Sequence, residues 1–167
     1  MKKINILLLL ILNFGLLSGQ ESNEDAIKLN ELIIEFEKSI IEKDSVRFKK
    51  LFFTKEVPFV GRMSIDTEMS IKKDYPEFEG IAVSNSSQFI KEICESEKSQ
   101  KEKFYNIKIE SDGVIATINF DYSFHSGTKI IQWGNENWNL VYVDEKWLIT
   151  DVIYSIRFPD IEKFPYY

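Results

Sequence analysis

Few residues in this chain have the type and setting that chemistry needs, and the carboxylate with the best setting is Asp151. If the chain folds back across Asp144-Glu145, Tyr142 stands opposite Trp147, Leu140 opposite Ile149 and Trp138 opposite Asp151. Alternate side chains of a strand share a face, so Trp138, Leu140, Tyr142, Trp147, Ile149, Asp151 and Ile153 fall together, and this more aromatic set is expected to face inward. A carboxylate beside Trp138 loses hydration, which raises its pKa and suits it to act as a general acid or base. The alternative is a structural role, with Asp151 nearer the mouth of the fold or paired with Arg62 or a backbone amide. Tyr122 or Tyr142 has a hydroxyl to offer, and no second acid stands at a matching position.

Other reactive types are sparse. His125 is the single histidine, on the polar parity of its strand with Asp121. Four residues along a strand separate that pair by about 13 Å, too far for a catalytic hydrogen bond. Cys94, the single cysteine, follows Ile90 by four and Ile93 by one in Phe89-Ile90-Lys91-Glu92-Ile93-Cys94, and burial in the core is expected. One His and one Cys cannot build a zinc site within one chain. There is no G-x-S-x-G, P-loop or G-x-G-x-x-G, so no cofactor is expected.

The elements that must position these residues belong to a chain of 167 residues, 44% hydrophobic and 29% charged. That composition fits one globular domain and excludes a disordered, collagen-like or polytopic membrane protein. Met1 to Lys3 give a positive start, Ile4 to Leu17 are almost all apolar, and Ser18-Gly19 precede polar Gln20-Glu21-Ser22. This layout predicts a signal peptide over residues 1–19 and a single mature domain over residues 20–167, secreted or periplasmic. The apolar run is shorter than the roughly 20 residues that span a bilayer, so no membrane association is expected after cleavage. Net charge is −6, and cleavage makes it more negative, so nucleic acid is not an expected partner.

Apolar residues from Ile27 to Ile41 recur at helical spacing and predict one long amphipathic helix. Asp44-Ser45 signals a new N-cap, with a short helix carrying Val46, Phe48, Leu51 and Phe52. Val57 to Gly61 reads as a short strand or extended turn, residues 61–80 as an irregular excursion and Ser84 to Lys98 as a third helix. From Phe104 the period becomes two. Four successive strands follow, joined at Asp112-Gly113, Ser126-Gly127 and Asp144-Glu145. Helices followed by an antiparallel meander make an α+β fold. Arg157 to Tyr167, with Pro159 and Pro165, is expected to run along the surface or cover an edge. The opposite parity of the last hairpin, from Asn139 to Tyr154, is also apolar, which favours a homodimer.

The Asp44-xxx-Phe48-xx-Leu51-Phe52 corner after a long helix, with Asp144-Glu145-Lys146-Trp147-Leu148-Ile149-Thr150-Asp151-Val152 near the far end, resembles the nuclear transport factor 2-like superfamily. The resemblance covers about Glu24 to Phe158. It implies a cone, a bent sheet wrapped round a helix with a cavity at the open end, and often a homodimer. It also brings isomerases, cyclases, dehydratases, transport factors and secreted proteins of unknown role into range. The first expectation is a secreted domain that holds a small apolar or amphipathic molecule against Phe36, Tyr122, Trp138 and Tyr142, with Arg62 or Asp151 orienting a polar end. The alternatives are an isomerase, dehydratase or cyclase using Asp151 for proton transfer, and a protein-interaction module with a filled core.

Overall fold

The computed structural model describes the backbone of residues 7–166 and the side chains of residues 24–166. The N-terminal part of the expected signal peptide, residues 1–6, lies outside the described residues, as do the side chains of the rest of it. Helix α1 (Leu7–Ile41) buries Leu29, Leu32, Ile33, Phe36 and Ile40, the stripe that the helical spacing marks. After it the chain turns at Lys43 into α2 (Ser45–Lys49), where Asp44 accepts from the amides of Val46 and Arg47 at 3.1 and 2.9 Å. Among the described residues no helix is long and apolar enough to cross a membrane.

Strands β1 (Pro58–Met63) and β2 (Ile81–Asn85) form a hairpin interrupted by helix α3 (Ile65–Lys72), and α4 (Ser86–Glu95) follows β2 directly. The meander is then β3 (Gln100–Ser111), β4 (Ile115–Ser126), β5 (Lys129–Val143) and β6 (Lys146–Ile156). One strongly curved sheet results, in the order β2-β1-β6-β5-β4-β3, with β1 running parallel to β6. The tight turn between β5 and β6 puts both Asp144 and Glu145 at positive φ, 50° and 63°, as a two-residue turn matched to strand twist requires. Helices α1, α2 and α4 cover the concave face. The core lies between them and the sheet, where the Phe36 ring is 5.0 Å from Phe48 and 4.6 Å from Trp138.

Three expectations need correction. Residues 61–80 are not an irregular excursion, because α3 fills their first half. Its apolar periodicity is weak and only Thr67 is buried; the helix rests on the Ser64 cap, with Asp66 and Glu68 in its first turn and Lys72 in its last. The third helix is shorter than expected, since Ile81–Asn85 is strand. Cys94 is exposed rather than buried: Ser86, Ile90 and Ile93 form the inward stripe of α4, and the Cys94 thiol points to the Lys43 carbonyl at 3.2 Å.

The C-terminal tail covers part of the convex face. Phe164 is buried, its ring 5.7 Å from Tyr105 and 5.9 Å from Trp133, and Tyr166 stacks on Tyr105 at 5.0 Å. The Trp133 indole donates to the Glu162 carbonyl at 2.9 Å. Asp121, on that face, accepts from the Tyr166 hydroxyl at 2.5 Å and from Asn106 at 2.9 Å. His125 lies in the same polar row and contacts Ser123 at 2.9 Å.

Candidate functional site

The last hairpin follows the expected register only as far as Leu140 opposite Ile149. Beyond that, Asn139 pairs with Asp151 and Trp138 with Val152, so Thr150 is one residue extra on β6. The Thr150 hydroxyl lies 3.0 Å from the Asn139 carbonyl and 3.1 Å from the Asp151 carboxylate, filling the bulge. One inserted residue reverses every later side chain. Val152 and Tyr154 therefore turn inward, while Ile153 turns outward. Asp151, expected beside Trp138, lies on the convex face, where the Asn139 amide donates to it at 2.8 Å.

Arg62 is also outside the concave face. It alternates with inward Phe59 and Gly61 on β1, donates to the Gly80 carbonyl at 2.8 Å and pairs with Glu68. Tyr142 does face inward, but at the closed end of the cone. Its ring stacks obliquely on Trp147 at 5.1 Å and its hydroxyl accepts from Lys28 at 3.2 Å. Phe36, Tyr122 and Trp138 lie closer together. Phe36 forms part of the wall of a pocket, and the other two are fully buried behind that pocket.

The pocket, about 380 Å³, opens between α4 and the concave face of β3–β6, with walls from Phe36, Phe59, Phe89, Phe124, Val152 and Tyr154. Glu92 and Ile131 are exposed at its rim. Two more carboxyls reach it from the sheet, neither of them among the residues that the sequence analysis singles out. Glu102 on β3 pairs with Phe124, and Glu136 on β5 pairs with Phe120 on one side and Tyr154 on the other. Glu102 is 4% exposed and Glu136 5%. The Trp138 indole donates to Glu136 Oε1 at 2.5 Å. Glu102 accepts no hydrogen bond from any described side chain or amide, although its carboxyl lines the pocket.

Tyr122 stands between the two glutamates on β4, opposite Phe104 and Gly134. Its hydroxyl donates across β5 to the Ser155 carbonyl at 2.9 Å. Only glycine suits position 134, because a Cβ there would come within 2.0 Å of that same carbonyl oxygen. The indole therefore holds Glu136 in place, while the phenol ties β4 to β6 behind the pocket.

Burial dominates the electrostatics. It pushes Glu136 up to about 8 against the opposing Trp138 hydrogen bond, and it pushes Glu102 well above the usual carboxylate range, with the Glu136 and Glu37 charges adding to the effect. Tyr154 is pushed up to about 12 by burial and the same two carboxyls. Both shifts favour the protonated forms, which present hydrogen-bond donors and transferable protons to the pocket. Two carboxyls make a small set for a resident metal, and among the described residues no three His, Cys, Asp or Glu side chains cluster to hold one.

Strand parity carried the signal for both glutamates. Glu136 lies two residues before Trp138, and Glu102 two before Phe104, each on the inward side. The alternation is plain only from Phe104, whereas β3 begins at Gln100, so Glu102 falls in a run of lysines and glutamates that reads as solvated.

No family model matches the sequence, and no curated protein sequence matches it. Solved structures do. A nuclear transport factor 2-like protein of unknown function from Silicibacter pomeroyi aligns with a TM-score of 0.58 at 15% identity, over 81% of this chain and 98% of that one. A nuclear transport factor 2-like superfamily protein from Salmonella enterica serovar Typhimurium gives 0.56 at 19%, over 82% and 92%. A provisionally assigned scytalone dehydratase from Novosphingobium aromaticivorans gives 0.60 at 13%, over 83% and 88%. A helix-covered, unclosed six-stranded sheet, superposable on such structures over four-fifths of its length, identifies this chain as having the nuclear transport factor 2-like fold.

Proposed function

We propose that this protein is a small-ligand-binding domain whose site is the pocket between α4 and the concave sheet. The observation that supports this most is the buried pair Glu102 and Glu136 at the floor of a pocket of about 380 Å³. That volume is in the range of small-molecule sites, which are mostly apolar with a few convergent polar groups. The aromatic wall takes the ligand's apolar body, and the glutamates orient its polar end in the role expected of Arg62 or Asp151. Native mass spectrometry of protein purified gently from its own source tests this. An added mass lost on Phe89→Trp substitution is expected; a clean apo mass that stays clean after incubation with small-molecule libraries turns the reading toward a protein-interaction module.

A second reading has one specific observation in its favour. Two desolvated carboxyls with raised pKa values, facing an open pocket, are equipped for general acid–base catalysis. In this reading an isomerase, dehydratase or cyclase uses Glu136 and Glu102 where the sequence points to Asp151. Glu136→Gln then abolishes turnover of any substrate found, whereas in a binder it alters affinity alone. Export through cleavage after residue 19 and homodimerisation belong to the same proposal. The first rests on the layout of residues 1–19 and is checked by N-terminal sequencing. The second rests on exposed Val60, Ile81, Val83 and Ile153 at the β2-β1-β6 side of the convex face, which the tail leaves uncovered, and is checked by sedimentation equilibrium.

A further inference from the structure

We infer that the pocket's ligand is an organic cation, an ammonium group carried on a small apolar or aromatic body. The inference rests on the ligand-binding reading above and names the chemical class. Every charged group that lines the pocket is acidic: Glu92, Glu102 and Glu136, with no Lys, Arg or His among the lining residues. The aromatic wall is continuous, since Phe89 lies 5.5 Å from Phe59, 6.1 Å from Phe124 and 6.4 Å from Phe36, centroid to centroid. Aromatic faces attract cations through the ring quadrupole, more strongly where water is excluded. Glu102, almost fully buried and without a hydrogen-bond donor among the described residues, is a carboxyl for which the pocket supplies no counter-charge. Ionising a buried carboxyl without a partner is costly, and a ligand cation seated between Glu102 and Glu136 offsets that cost. An anionic ligand meets three acidic side chains and no cationic one here.

The titratable groups that face the pair come from every packed element: Glu37 on α1, Glu92 on α4, Tyr122 on β4 and Tyr154 on β6. All are acidic. Arg157, at the end of β6, acts on Tyr122 from behind and is paired with Glu162 at 3.2 Å. A bound cation favours the ionised glutamates, so binding at pH 7 drives a proton off Glu136 and into the buffer. At pH 9, where Glu136 is already ionised, binding tightens and the release fades.

The test is isothermal titration calorimetry of the full protein with three probes of similar size: benzyltrimethylammonium, whose charge does not titrate, 3-phenylpropanol and 3-phenylpropanoate. The ammonium is expected to bind about tenfold tighter than the alcohol, to release protons at pH 7 as read in buffers of different ionisation enthalpy, and to bind more tightly at pH 9. The propanoate is expected to give no heat. Glu136→Gln, whose melting temperature is expected to equal or exceed that of the parent, should weaken the ammonium about tenfold. If the alcohol or the propanoate binds as well as the ammonium, the cation inference is overturned and the ligand-binding reading stands. Unchanged ammonium affinity in Glu136→Gln also overturns it. If none of the three binds, both readings fall.

Discussion

At the closed end of the concave face Trp138 has no exposed surface, with Phe36 4.6 Å, Phe120 5.0 Å and Phe104 5.8 Å away, ring to ring. At the open end of the same strands, one alternation further along, the inward residues are Glu102 and Glu136, and the pocket opens before them. Both ends belong to one sheet under the same helices, so local backbone geometry is not what separates them. The difference is what the inward positions carry. Around Trp138 they carry aromatic rings packed on one another, and there the face closes on itself and contributes stability. Where they carry carboxyls, the same burial opposes stability, and such a cost is retained where a site has a use for it.

The comparison is broken most severely at its shared residue. Trp138→Ala removes the centre of the aromatic end and the donor to Glu136 together, and a loss of about 3–5 kcal/mol in urea unfolding is expected. The carboxyl end should respond in the opposite sense. Each glutamate ionises near 4.5 in the unfolded chain; when folded, Glu136 retains its proton to about 8 and Glu102 is raised well above the ordinary range, so the native state binds more protons over that window. Stability therefore falls as pH rises through that window and levels off above the folded values. Glu136 alone accounts for a loss of roughly 1 kcal/mol between pH 7 and 9, and Glu102 adds to it in the same direction. In this range His125, whose pKa is depressed by burial, stays neutral, and Asp44, Asp112 and Asp121, whose pKa values are lowered, stay ionised. Glu136→Gln should flatten the slope and raise stability at pH 9; a slope unchanged by that substitution would mean that another group carries it.

Smaller changes sharpen the boundary between the two ends. Tyr122→Phe leaves the Ser155 carbonyl without its partner, and a cost of about 1–3 kcal/mol is expected from thermal unfolding, together with weaker ligand retention. Trp147 lies at the closed end with a buried indole N–H that finds no acceptor among the described residues. Trp147→Phe removes that unsatisfied donor along with some packing, so the two effects oppose each other. A net change within about 1 kcal/mol is expected by the same measurement.

The fold was legible because its signals are local and repeated. The period-two alternation after residue 104, the turn residues at 112–113, 126–127 and 144–145, and the Asp44 cap each specify their own element, and together they leave little choice of topology. The site was less legible. Thr150 inserts one residue into β6, and nothing in the alternation of Ile149, Asp151 and Ile153 announces it, because both parities there are apolar enough to be buried. Register is a property of two strands and their hydrogen bonds. That single residue moved Asp151 out of the site. Glu136 was within reach, two residues before Trp138 on the same parity. Glu102 was hidden among lysines, since a charged run looks solvated until a neighbouring strand shows that one member in two points inward.

Site-resolved titration of the glutamate side-chain carboxyl carbons by NMR, between pH 3 and 10, tests the central claim most directly. With Glu102→Gln and Glu136→Gln used to assign the signals, the account predicts that Glu136 titrates near 8 and Glu102 well above the ordinary carboxylate range. A freely hydrated glutamate in a model peptide ionises near 4–5. If both pocket glutamates titrate in that ordinary range, they are solvated or already paired, and the open end is not the protonated, partner-seeking site described above.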